Sequence, residues 1–356
     1  MNHEFWNGKR VLLTGHTGFK GAWLALWLQR LGARVTGFAL PAEGPSLFEE
    51  AGVEGALASR LGDLADLAAV GAAVEAADPE IVLHLAAQSL VKEGYARPLA
   101  TWATNVMGTA HLLETLRGRP ALRVVVSVTS DKCYANREWP WGYRESDPLG
   151  GKDPYSASKA GAELVTACWR DAFLAAPSEP RPAAVATARS GNVIGGGDWA
   201  ADRLVPDLVR GFGAGRPVAI RSPDATRPWQ HVLEPLAGYL MLAESLWDDP
   251  SLAGPWNFGP GEEGDRPVRW IADRVVELWG DGAGWRLDDE VHPPEANWLK
   301  LDASKARRQL GWRPRLGLEA GLEWTVEWYR AHARGDDMGR LTRDQIDAYA
   351  ALGEPG

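Results

Sequence analysis

Two cysteines in 356 residues, Cys133 and Cys168, are too few for a disulfide framework or a cysteine-based zinc site. A reducing, cytoplasmic setting is expected from that scarcity. Basic residues are also in deficit: 38 Lys and Arg against 47 Asp and Glu leave a formal net charge of −9. This balance argues against nucleic acid or an anionic membrane as partner, while leaving room for a local basic pocket around a phosphorylated ligand. Long apolar runs are missing too. No stretch approaches the roughly 20 residues of a membrane span, and the opening MNHEFWNGKR runs into VLLTG with neither an apolar leader core nor a cleavage signal. Repeats and low-complexity tracts are absent. What is plentiful builds a core: 45% hydrophobic residues, 24% charged residues and 18 Trp exclude wholesale disorder. The length predicts one large domain with a smaller companion.

Short apolar runs alternate with helical patterns through the first half. Strands are expected at Arg10–Thr14, Arg34–Phe38, Leu57–Leu61, Ile81–Ala86, Arg123–Thr129 and Ala183–Arg189. Helices are expected at Gly18–Leu31, Leu64–Ala77, Leu99–Arg117 and Tyr155–Phe173. This alternation predicts an α/β fold, a Rossmann-type doubly wound parallel sheet occupying residues 1–190, with some later segments returning to it. From about Gly191 the rhythm breaks. Pro and Gly become dense, Asn192–Trp199 and Ile220–His231 read as loops, and Val232–Leu246 and Val268–Leu278 read as helices. Residues 191–356 are therefore expected to form mainly a smaller, mixed α/β substrate-binding cap.

The first motif is Thr14-Gly15-His16-Thr17-Gly18-Phe19-Lys20-Gly21, placed after the first strand and opening the first helix. Glycines there permit a tight turn and close backbone approach, and a helix N-terminus offers free N–H groups to a pyrophosphate. Gly15, Thr17, Gly18, Phe19, Lys20 and Gly21 are thus candidate dinucleotide contacts. The second strand ends in Phe38-Ala39-Leu40, with neither the acidic residue that would hold a ribose nor an arginine for a 2′-phosphate, so NAD versus NADP stays open. Asp63 and Leu64 follow the third strand; Asp63 reads equally as an adenine neighbour or as a helix cap. Leu85, Ala86 and Ala87 end the fourth strand, where small side chains let a cofactor lie flat.

The second motif is Tyr155-Ser156-Ala157-Ser158-Lys159, with Tyr155 and Lys159 one helical turn apart on one face. A neighbouring ammonium favours the phenolate and is expected to lower the Tyr155 pKa, making it a base toward a hydroxyl. Ser130-Asp131-Lys132 follows the fifth strand, at the carboxyl edge where such folds bind ligands, and offers one proton donor and one acceptor. No metal-ligand constellation is present.

Together with HLAAQSLVKEGY, VTSDKCY, GYRESDPLGGKDPYSASKAGAELV, ARSGNVIGGGDWAADRLVPD, RPWQHVLEPLAGYL, KARRQLGW and LTRDQIDAY, these motifs resemble the extended short-chain dehydrogenase/reductase family, in its nucleotide-sugar-modifying branch. The resemblance covers nearly the whole chain. Thymidine- and guanosine-linked dehydratases carry Asp-Glu where this chain has Asp131-Lys132, and the cytidine-linked branch is similar to this chain there. The resemblance implies a hydro-lyase that uses bound NAD to convert CDP-glucose to its 4-keto-6-deoxy product. Tyr155 would take the C4 hydroxyl proton, Ser130 would place that oxygen, and Lys159 would hold the nicotinamide ribose. Asp131 would act as acid toward the C6 hydroxyl and Lys132 as the C5 base. Gln88, Ser89, Asn105, Asn192, Arg203, Arg221 and Arg227 are implied around the nucleotide sugar, with Arg189 a further phosphate candidate and His231 structural. Helices Leu99–Arg117 and Tyr155–Phe173 imply a homodimer or higher homo-oligomer. Another dehydratase or epimerase of the same branch, and a non-catalytic dinucleotide-binding regulator, are the alternative readings.

Overall fold

The computed structural model describes residues 2–176, 181–280, 282–288 and 296–353. Its centre is a seven-stranded sheet of β1 (Arg10–Thr14), β2 (Arg34–Ala39), β3 (Ala58–Leu61), β4 (Ile81–His84), β5 (Val124–Val128), β6 (Ala184–Ser190) and β10 (Gly254–Phe258). The strand order is β10-β6-β5-β4-β1-β2-β3, and every neighbouring pair is parallel. Parallel strands covered on both faces need apolar residues at successive positions, and VVVSV of β5 is buried throughout. Alternate side chains serve opposite faces. Val11 and Leu13 join the core with helices Phe19–Arg30 and Leu233–Asp248, whereas Leu12 packs with Leu67–Ala77 and Gly108–Thr115.

Several boundaries differ from expectation for identifiable reasons. The helix expected from Leu64 begins at Leu67 because the Asp66 side chain accepts the N–H groups of Ala68 and Ala69. The long helix expected at Leu99–Arg117 runs from Pro98 to Thr115 through a π turn at Ala103–Met107, a distortion that often marks a functional position. The helix Pro154–Trp169 also ends in a π turn, Arg170–Leu174. β4 stops at His84, so residues 85–87 leave the ladder and line a groove instead.

The two expected loops contain strands. β7 (Asn192–Ile194) pairs in parallel with β9 (Thr226–His231), and β9 pairs antiparallel with β11 (Asp265–Pro267). β8 (Val218–Ile220) pairs with β12 (Trp285–Leu287). Most of these strands are only three residues long, too short for a period to stand out among Gly and Pro. β10 returns to the main sheet beside β6. The C-terminal helix Met338–Ala351 packs on Phe19–Arg30, with Tyr349 edge-on to Trp27. Among the described residues no helix is long and apolar enough to cross a membrane.

Candidate active site

A groove of about 860 Å³ runs along the carboxyl ends of β1, β4, β5 and β6. It straddles the point between β1 and β4 where the strand order reverses, the usual ligand position in open α/β sheets. At one end lies the glycine turn. Gly15 holds φ of +78°, and a Cβ there would stand 2.7 Å from the Ala86 nitrogen. A Cβ on Gly21 would stand 2.0 Å from the Gly15 carbonyl oxygen. Helix Phe19–Arg30 starts at Gly18 with no side-chain cap, so its first N–H groups face the groove free. That is a cradle for a diphosphate. Thr17 donates its hydroxyl to the Leu40 carbonyl (2.9 Å), tying the turn to the end of β2.

Asp63, Leu64, Leu85, Ala86 and Ala87 line the same end. Asp63 also accepts the Ala65 N–H at 2.9 Å, so it serves as a turn cap and groove wall at once. Lys20 does more than follow the glycines. Its Nζ reaches the Ser190 hydroxyl on β6 (2.8 Å), which also accepts from Tyr239 (2.9 Å). Burial, then the charges of Arg203 and Lys159, lower the Lys20 pKa to about 7.

At the centre stand Ser130, Asp131, Lys132, Tyr155 and Lys159, all lining the groove. Asp131–Cys133 form one 3₁₀ turn capped by the Ser130 hydroxyl, which accepts the Lys132 N–H (3.2 Å) and donates to Asp131 Oδ1 (3.0 Å). The other Asp131 oxygen, Oδ2, is buried without a hydrogen-bond partner among the described residues. Burial raises the Asp131 pKa against the opposing pull of Lys132 and Ser130. Tyr155 corrects an expectation. Burial raises its pKa to about 12, and the groups pulling it down are Ser130, by a hydrogen bond, and the Arg203 charge. Lys159 itself is lowered by burial to about 8, with Glu163 opposing that shift.

At the other end lie Gln88, Ser89, Asn192, Arg203, Arg221 and Arg227. Arg203 donates to Asp198 (2.9 Å) and to the Ser89 hydroxyl (2.8 Å), bridging the segments after β4 and β7. Gln88 is tied to its own loop through Leu90 and to Thr101 (2.9 Å). Arg227 donates to the Thr226 carbonyl at 2.9 Å.

Two expected contacts fall outside the groove lining. Asn105 sits in the π turn, buried, with its amide spent on both backbone groups of Gln88 (2.8 and 3.0 Å) and on the Ser158 hydroxyl (2.8 Å). Its geometry orders the wall behind the groove. Arg189 is 2% exposed and forks onto Glu163 with contacts of 2.8 and 2.7 Å, leaving no face for a phosphate. His231 is wholly buried between Trp23 and Trp324, as a structural residue would be. Sequence reading missed Asp198, Ser190 and Glu163. Of these only Glu163 had a local signal, its position one turn beyond Lys159.

The profile of the NAD dependent epimerase/dehydratase family matches residues 11–252. The chain is 51% identical over 352 residues to the CDP-glucose 4,6-dehydratase of Salmonella typhimurium strain LT2, covering 98% of each protein. It is 27% identical to the dTDP-glucose 4,6-dehydratase of Mycolicibacterium smegmatis, over 95% of this chain and 98% of that one. Among solved structures it is similar to DesIV, the dTDP-glucose 4,6-dehydratase of Streptomyces venezuelae, with a TM-score of 0.77 and 23% identity over 92% of this chain and 99% of that one.

Proposed function

The chain belongs to the NAD dependent epimerase/dehydratase family, and from that premise we propose that it is an NAD-dependent hydro-lyase converting CDP-glucose to CDP-4-dehydro-6-deoxy-glucose. The observation that carries this reading is the Asp131-Lys132 pair beside Tyr155 in one groove. A family member that only oxidises and re-reduces C4 has no use for an acid and a base at C5 and C6; an elimination needs both.

The residues fit a dinucleotide. Gly15 and Gly21 let the turn close tightly on the Ala86 backbone and on itself, where a Cβ would collide, and the uncapped helix start offers N–H donors to the diphosphate. Asp63, Leu64 and Leu85 to Ala87 would flank the adenosine half, and Lys159 would hold the nicotinamide ribose. When bound, NAD⁺ supplies the hydride acceptor for C4 and the donor that restores hydrogen at C6.

The protein's part is proton management. Tyr155 takes the C4 hydroxyl proton. Its burial opposes that step, and the Ser130 hydrogen bond and the Arg203 charge work against that opposition. Ser130 hydrogen-bonds the same oxygen. The resulting C4 ketone acidifies the C5 hydrogen. Asp131, kept protonated more readily by burial and with one oxygen uncommitted, gives its proton to the departing C6 hydroxyl. Lys132, on the next residue of the same turn, takes the C5 proton and returns it to C5 as C6 is reduced. Arg203, Arg221 and Arg227 face the nucleotide diphosphate, and Gln88, Ser89 and Asn192 the sugar and base.

Residues 1–190 with β10 serve the cofactor, and residues 191–356 mainly the nucleotide sugar. The exposed apolar side chains Leu99, Trp102, Met107 and Leu164 on the two long helices support a homodimer through that face. Unpaired Cys133 and Cys168 suit a cytoplasmic setting. The test is incubation of the holoenzyme with CDP-glucose and with thymidine, uridine and guanosine diphosphate glucose. Base-induced absorbance of a 4-keto sugar and a C6 methyl signal in the proton spectrum are expected with the cytidine substrate first. A C4 epimer with an intact C6 hydroxymethyl would overturn the dehydratase reading.

A further inference from the structure

Tyr155, Lys159 and Glu163 follow one another at successive turns on one face of helix Pro154–Trp169. The first two line the groove; the third lies beneath it, 4% exposed. Both carboxylate oxygens of Glu163 are saturated. Oε1 accepts from the Thr129 hydroxyl and Arg189 Nε (2.8 Å), and Oε2 from the Thr187 hydroxyl and Arg189 Nη2 (both 2.7 Å). Thr129 directly precedes Ser130, and Arg189 directly precedes Ser190, the partner of Lys20. The remaining Arg189 nitrogen donates to the Tyr134 hydroxyl (2.8 Å), which donates to Asn257 on β10 (2.7 Å). One carboxylate therefore joins the helix bearing Tyr155 and Lys159 to the carboxyl ends of β5 and β6, and through Arg189 to β10.

We propose that Glu163, clamped by Arg189, is the buried counter-ion that positions Lys159 for the reaction. The proposal rests on the dehydratase reading and extends it to a residue with no contact to substrate or cofactor. A fully buried pair of this kind is weak evidence for stability by itself, since its desolvation cost is large. Its placement one turn below a working lysine gives it a further use. The charged and titratable groups facing Lys159 are Tyr155 and Glu163 on its own helix, Lys20 from the first helix, His84 from β4 and Cys133 from the capped turn. Lys20 is a like charge, His84 is kept neutral by burial with its pKa pushed down to about 3, and the Cys133 thiol is held well above its usual range. Glu163 is the one carboxylate of this set, and it does most to favour the Lys159 ammonium. Burial works to strip the Lys159 proton, and Glu163 opposes it.

The test is the pH profile of kcat/KM in the holoenzyme, with whichever nucleoside diphosphate hexose the wild type turns over. Activity should fall on the alkaline side as Lys159 loses its proton. Glu163→Gln should move that limb to lower pH by about one unit, with the KM for the sugar nucleotide changed less than twofold. Because removing one partner of a buried pair can unfold a protein, the double variant Glu163→Met with Arg189→Met, which leaves no orphaned charge, is the companion. It should fold by circular dichroism and show a displacement in the same direction, smaller because the opposing Arg189 charge is removed too. A folded variant whose alkaline limb stays at the wild-type position overturns the proposal. Failure of both variants to fold also overturns it, in favour of a purely architectural pair. Wild-type conversion to a 4-keto sugar tests the underlying reading separately; only the displacement between wild type and variant tests Glu163.

Discussion

At the glycine turn the groove wall is backbone and small side chains: Gly15, Gly18, Gly21, Ala86 and Ala87. At the arginine end it is long side chains held by other side chains, with Arg203 stretched between Asp198 and Ser89. On the proposed reading the first end would recognise through shape and fixed N–H groups, the second through guanidinium groups aimed by other side chains, Asp198 five residues away and Ser89 114 residues away. Between them, Ser130, Asp131, Tyr155 and Lys159 combine both methods: a capped turn and a helix face fix the positions, and burial sets the proton affinities. The difference teaches that a close backbone approach leaves a mark in sequence, because only glycine tolerates it, while a side-chain strut leaves almost none.

The largest effect should come from the centre. Tyr155→Phe removes the proton acceptor and should lower kcat by about 10³-fold, while the nucleotide-sugar Kd, read by calorimetry, stays near wild type. A retained rate would remove Tyr155 from its role. At the backbone end, Gly15→Ala forces a side chain into a φ of +78° and against the Ala86 backbone. Cofactor affinity should fall at least about tenfold by fluorescence titration, with sugar-nucleotide affinity intact. Equal losses at both ends would break the division drawn above. At the side-chain end, Asp198→Asn weakens the strut under Arg203 and should raise the KM for the sugar nucleotide roughly fivefold, leaving cofactor affinity unchanged.

The smallest effect lies away from the groove. Glu234 is fully buried and accepts the Arg315 and Leu316 N–H groups and the Tyr349 hydroxyl (2.8 Å), pinning the C-terminal segment to helix Leu233–Asp248. Burial pushes its pKa up to about 7. As pH rises from the ordinary carboxyl range toward 7, the unfolded chain releases this proton before the folded one does. The stability this group contributes is therefore complete at acid pH and is lost as pH climbs to about 7. The difference in Tm between wild type and Glu234→Gln should narrow over that interval and stay constant above it.

Much of this is legible in the chain itself. Five of the sheet's first six strands carry Val or Ile in apolar runs, β3 (ASRL) being the exception, and the glycine turn and the Tyr155–Lys159 spacing stand out as local patterns. β10 was not readable, because GPWNF is short, carries Gly and Pro, and pairs with β6 across some 70 residues. Arg189 was misjudged for a related reason. An arginine at a strand end is ordinarily a surface or ligand-facing residue, and partners remote in sequence, Glu163 26 residues earlier and the Tyr134 hydroxyl, turn it inward. The Tyr155 pKa runs against the expectation from spacing because burial, which spacing does not reveal, raises it.

The central claim is an oxidation at C4 and a reduction at C6 by one cofactor held in one groove. The direct test uses CDP-glucose deuterated at C4 and the holoenzyme without added reductant, followed by NMR and mass analysis of the product. The account predicts a 4-keto product whose C6 methyl carries the deuterium. A product that keeps deuterium at C4 with its C6 hydroxyl intact, or a methyl group free of deuterium, would contradict it.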